Sequence, residues 1–196
     1  PDVNESFGDF TVIKGQPGDK IRFGLYTIKN LGTDVADAIV AERKKNGPFT
    51  TLANFLERIS HKNLNKKSLE ALTKTGALES LNVERGQILA NLDLILEFHR
   101  EQSKAAASQN SLFAVMSDQA TVPQLKLVKT AAARPEEKLT WEKELLGLYV
   151  SGHPLEKFRA RFVAENTIKI IKTRRDGASV AAAGVIEEVK TILTKR

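Results

Sequence analysis

The stretch IRFGLYTIKNLGTDVADAIVAERKKNGPF (Ile21–Phe49) runs directly into TTLANFLERISHKNLNKKSLEALTKTGALESL (Thr50–Leu81), and the fold turns on how these two halves are read. Each half offers a short helix, a tight turn and then an amphipathic helix. In the first, Ile28-Lys29-Asn30-Leu31-Gly32 supplies the turn, and Ala36, Ile39 and Val40 recur at helical spacing after it. In the second, Lys62-Asn63-Leu64-Asn65 takes the same place, followed by Leu69 and Leu72 on one face. Asn and Gly enter left-handed backbone conformations at the least cost, so both segments are expected to turn sharply there.

This is the pattern of a tandem helix-hairpin-helix pair. Such a hairpin points backbone N–H groups, together with the N-terminus of the next helix, at a phosphate. The residues expected to face DNA are therefore Lys29, Asn30, Gly32 and Thr33 in the first unit, and Lys62, Asn63, Asn65, Lys66 and Lys67 in the second. The usual Gly-apolar-Gly hairpin is altered: Asn30 replaces the first Gly, and Asn63-Leu64-Asn65 has none. The other reading of the same spacing is two helical hairpins that merely pack on each other.

The helix after Gly32 is well punctuated. Asp34 and Asp37 lie near its positive end, Arg43, Lys44 and Lys45 near its negative end, and Gly47-Pro48 stops it. The macrodipole thus accounts for those three cations without any ligand. Lys66 and Lys67 are different. With Asn65 as N-cap they fall at a helix start, where cations are disfavoured, and contact with phosphate would explain them.

Working outward, Phe10–Ile13 and Lys20–Leu25 alternate around a turn at Gly15, Pro17 and Gly18, which predicts a β-hairpin. Apolar residues at Ile88, Leu89, Leu92, Ile95 and Leu96 predict one long amphipathic helix over 85–100, with His99 near its apolar edge as a structural histidine. Residues 102–135 lack clean periodicity and read as a mobile linker around one apolar island, Leu112-Phe113-Ala114-Val115-Met116. A helix over 136–150 and a short one from Leu155 follow. The run from Ser179 to Thr194 reads as strand. The chain opens on Pro1-Asp2-Val3 with no initiator Met, which suggests a piece of a longer one.

Composition narrows the classes. With 41% hydrophobic and 28% charged residues the chain has the makeup of a globular protein rather than a disordered one. No apolar run is long enough to span a bilayer. There is no cysteine, so neither a disulfide nor a thiolate metal site is available, and His61, His99 and His153 are too scattered for zinc. The net charge of +6 permits nucleic acid without requiring it.

The order of segments resembles the C-family bacterial replicative polymerases, the DNA polymerase III alpha subunits. Pro1-Asp2-Val3-Asn4-Glu5-Ser6, Ile21-Arg22-Phe23-Gly24-Leu25, Gly47-Pro48-Phe49, Leu64-Asn65-Lys66-Lys67 and Gly76-Ala77-Leu78 carry the likeness, and Leu146-Gly147-Leu148-Tyr149-Val150-Ser151-Gly152-His153-Pro154-Leu155 is its most diagnostic run. The resemblance implies a mainly α segment downstream of the fingers. In it, 1–25 would close the fingers region with a β-hairpin, 26–101 would form the tandem helix-hairpin-helix that holds template-primer duplex, and 102–135 would carry the clamp-binding motif. A helical connector over 136–175 would lead to the first strands of an incomplete OB-type β element over 176–196. Gln109-Asn110-Ser111-Leu112-Phe113 is similar to the family's sliding-clamp motif, so Gln109, Leu112 and Phe113 would enter the clamp's pocket.

The resemblance further implies a DNA-directed DNA polymerase, working in the cytoplasm with other replicase subunits and with no membrane partner. Its catalytic aspartates and their divalent metal, magnesium, would lie upstream, leaving no catalytic residue, metal ligand or cofactor here. Two competing classes stay open at this point: a helix-hairpin-helix scaffold that binds only protein, and a repair-type DNA-binding module without clamp affinity.

Overall fold

A computed structural model describes residues 1–15, 17–109, 125–161, 168–180, 182, 184–186 and 188–192. Two compact units divide the chain, 1–149 and 150–196.

The first unit begins with an antiparallel hairpin, β1 (Thr11–Ile13) against β2 (Lys20–Arg22), in the register Val12 opposite Ile21. A 3-10 turn at Leu25–Thr27 leads to α1 (Thr33–Asn46) and α2 (Leu52–Arg58). Then come α3 (Lys66–Lys74), α4 (Arg85–Ala90), α5 (Leu92–Gln109) and α6 (Pro135–Leu146). The helix ends follow local chemistry. Thr51 caps α2 by accepting from the Asn54 N–H, Asn65 and Ser68 form a reciprocal capping box on α3, and Pro135 opens α6 at the position where its missing N–H costs nothing. Gly47 and Gly147 end α1 and α6 with φ of +81° and +82°, a conformation in which a Cβ would be strained.

Both halves of the decisive stretch feed one core. Leu25, Val35, Ala36 and Ile39 come from the first, Phe55, Leu56, Leu69 and Leu72 from the second, and Ile88 and Ile95 close it from α4 and α5. Each Val, Leu, Ile or Phe side chain among them contributes about 1.5–3 kcal/mol on burial. The N-terminal residues are tied in as well: the Asn4 amide donates to the Phe49 carbonyl at 2.8 Å and accepts from the Phe49 N–H at 2.7 Å.

Three expectations change. The long helix over 85–100 is broken into α4 and α5 at Asn91. Its side chain is buried and hydrogen-bonds both backbone groups of Val128, at 3.0 and 2.9 Å, mimicking a strand partner. That contact accounts for the second change. Within the stretch expected to be linker, α5 runs on to Gln109, and residues 125–134 lie extended on the core. Leu125 and Leu127 pack down, and the Ala133 N–H donates to Glu84 Oε1 at 3.1 Å.

The second unit holds a 3-10 helix at Glu156–Arg161 and the single turn α7 (Ile168–Ile171). The third change is here: among the described residues beyond 176 no strand forms. Val185, Ile186, Val189 and Ile192 are exposed, and β-branched residues make a strand only where a neighbour completes the ladder. The mainly α class with a two-stranded sheet holds; among the described residues the sheet at the N-terminal end is the one that forms.

Candidate nucleic-acid interface

The two hairpins stand side by side. The Asn63 amide, in the second, donates to Asp34 Oδ2 in the first turn of α1, and His61 Nε2 lies 3.9 Å from the same oxygen. The Asn63 hydrogen bond is the main reason the Asp34 carboxyl is held below its usual range. By sequence Asp34 has only a helix-dipole role; the fold makes it the bridge between the two hairpins.

Their chemistry differs. The left-handed turn of the first hairpin is made at Asn30, with φ of +70°, while Gly32 is an extended N-cap with φ of −68°. Leu31 is buried beneath, its N–H bonded to the Ile28 carbonyl at 3.2 Å, and the Lys29 N–H is taken by the Leu145 carbonyl at 3.0 Å. The N–H groups of Asn30 and Gly32 find no acceptor among the described residues, and the first turn of α1 adds its own open donors at Thr33. Lys29, Asn30, Gly32 and Thr33 are all exposed, so this is a donor-rich hairpin.

The second hairpin has no residue with positive φ. It closes through side chains instead. The Asn63 N–H bonds His61 Nδ1 at 3.2 Å, the Leu64 N–H bonds the His61 carbonyl at 2.9 Å, and the Asn65 N–H bonds Ser68 Oγ at 2.9 Å. Those donors are spent internally, while the N–H groups of Lys66 and Lys67 in the first turn of α3 stay open among the described residues, as that of Thr33 does. This hairpin adds charge, since Lys62, Asn63, Asn65, Lys66 and Lys67 are exposed, with Lys66 Nζ paired to Asp93 at 2.7 Å. Lys62 and Lys67 make no ion pair among the described residues.

Beside the second hairpin a groove of about 740 Å³ opens against α5 and is lined by Ser60, Lys62, Lys66, Asp93, Arg100 and Ser103, among others. Arg100 and Ser103 went unnoticed in the sequence, since only the packing of α5 brings them within reach. His99, expected to be structural, bonds the Ile59 carbonyl through Nε2 at 2.9 Å. Gln109 ends α5; Leu112 and Phe113 lie outside the described residues. Among the described residues no group of three or more His, Asp or Glu could hold a metal ion. No described helix is long and apolar enough to cross a membrane.

The comparisons agree with this geometry. A family described as "Helix-hairpin-helix motif" matches residues 1–88, which takes in both hairpins. The DNA polymerase III subunit alpha of Borreliella burgdorferi is 37% identical across the whole chain, and those of Neisseria meningitidis serogroup B and Bacillus subtilis are each 35% identical, again across the whole chain. The chain spans only 17%, 16% and 17% of these relatives' lengths. It corresponds, from end to end, to a segment of the DNA polymerase III alpha subunits.

Proposed function

We propose that this segment grips the template-primer duplex behind the active site of a DNA-directed DNA polymerase. The observation that carries the reading is the Asn63–Asp34 bridge, which sets an open donor hairpin beside a cationic one. Backbone N–H groups and lysines recognise phosphates and read no base edges, so the grip is independent of sequence. The test is duplex binding by the intact protein across a range of salt concentrations. Replacing Lys66 and Lys67 by Ala weakens binding and flattens the log–log salt slope by roughly one to two units; an unchanged slope removes both lysines from the site.

The same reading extends to the parent protein. Gln109, Leu112 and Phe113 would fasten it to a sliding clamp, a tether that raises effective concentration on one DNA. Nucleotidyl transfer would take place at aspartates and magnesium outside this chain, in the cytoplasm and in company with other replicase subunits, and an OB domain would continue from residues 176–196.

A further inference from the structure

We infer that the groove between the second hairpin and α5 carries the phosphodiester backbone of the bound duplex onward from the hairpins, with Arg100 as a phosphate contact and Asp93 as a built-in competitor for Lys66. The inference rests on the duplex reading above and adds Asp93 and Arg100, which lie beyond the residues matched by the helix-hairpin-helix family.

Three fixed cations, Lys62, Lys66 and Arg100, face this groove against a single carboxylate, Asp93. Lys62 and Arg100 are exposed and have no ion pair among the described residues, so their charge is free to meet an anion. Ser60 and Ser103, joined at 3.2 Å between their hydroxyls, add neutral donors on the floor. The lining residues of α5 recur at helical spacing, Asp93, Leu96, Arg100 and Ser103, so they form one stripe along the helix. The acidic side chains of α5 at Glu97 and Glu101 do not line the groove.

Length fits as well. Arg100 lies seven residues beyond Asp93, roughly 10 Å along the helix axis. One strand of a duplex places a phosphate about every 3.4 Å along its axis and farther apart along the strand itself, so the groove is long enough for more than one phosphate contact. A second, smaller depression of about 320 Å³, lined by Lys45, Arg58 and His61 and by Glu42, which pairs with Arg58, shares Ser60 and His61 with it and continues the concave strip toward the end of α1.

Asp93 gives the groove its modulation. Its carboxylate is 86% exposed and holds Lys66 Nζ at 2.7 Å, in the path a phosphate would take. A bound phosphate must displace it, and an exposed pair of this kind is weak enough to be displaced.

The test uses the intact protein with a labelled duplex and a matched single strand across a salt series. Arg100→Gln, which keeps a polar side chain that can donate a hydrogen bond and removes the charge, lowers duplex affinity about five- to tenfold at 0.1 M salt and reduces the slope by about 0.9. Arg100→Lys restores the slope. Asp93→Asn raises affinity about two- to fivefold, and that gain vanishes when Lys66 is already Ala. If Lys66→Ala with Lys67→Ala flattens the slope but Arg100→Gln does not, the hairpin grip stands and the groove is overturned. If neither changes it, both fall. An Arg100 effect on the single strand alone also contradicts the inference.

Discussion

The amide of Asn63 donates to the carboxylate of Asp34 across the gap between the two hairpins. Among the described residues this is the one side-chain hydrogen bond that fixes the second hairpin against the helix start of the first. Both residues are exposed, so the bond contributes geometry rather than stability. Asn63→Ala is expected to weaken duplex binding while leaving the melting temperature within a few degrees of the parent. A large fall in melting temperature with unchanged binding would make the bond structural.

A second pair holds the core together. Arg85, buried between α3 and α6, donates to Glu79 at 2.7 Å, to the Lys74 carbonyl at 3.0 Å and to Glu142 at 3.1 Å, with Glu142 only 1% exposed. Removing one partner leaves a buried charge uncompensated. Arg85→Ala is expected to destabilise the first unit by about 3–5 kcal/mol in urea titration, and Arg85→Met with Glu142→Leu to recover most of that loss. A single substitution within about 1 kcal/mol of the parent would show that the pair is well solvated.

Acid sensitivity follows from two carboxylates. Glu42 is held below the usual carboxylate range by the Asn46 amide at 2.8 Å and then by Arg58 at 2.9 Å. Burial pushes Glu84 up, but Lys138 and the N–H groups of Ala133 and Gly86 outweigh it, and its net shift is also downward. A depressed folded pKa contributes stability that is full above the unfolded value, near pH 4.5, and is lost as pH falls through the folded value. The melting temperature should therefore hold from pH 7 to about 5 and fall below about 4.5, less steeply in Glu42→Gln. A profile flat down to pH 3 would contradict this.

Clamp attachment is open to calorimetry. Titrating the protein into a bacterial sliding clamp should give saturable binding that Leu112→Ala with Phe113→Ala abolishes. Equal binding by parent and variant would take these two side chains out of the contact.

The legible parts of the fold were those set by local chemistry. Gly47-Pro48 stopping α1, Asn65 capping α3 and the turn around Pro17 each depend on residues within a few positions of one another. The break at Asn91 was not legible, because its partner Val128 is 37 residues away and Leu92 continues the apolar spacing without interruption. Residues 125–134 read as linker for the same reason: only two apolar side chains and borrowed hydrogen bonds hold them down. Asn and Gly mark both turns in the sequence, yet a left-handed residue forms only in the first hairpin, at Asn30, because the second closes through the His61 and Ser68 side chains. Arg100 and Asp93 gained their setting only once α5 packed beside the second hairpin.

Hydrogen exchange of the intact protein with and without a duplex tests the central claim most directly. Peptides covering 29–34 and 62–68 should slow together on binding, since both hairpins meet the same backbone. Protection confined to other parts of the chain, with these two stretches unchanged, would contradict the account.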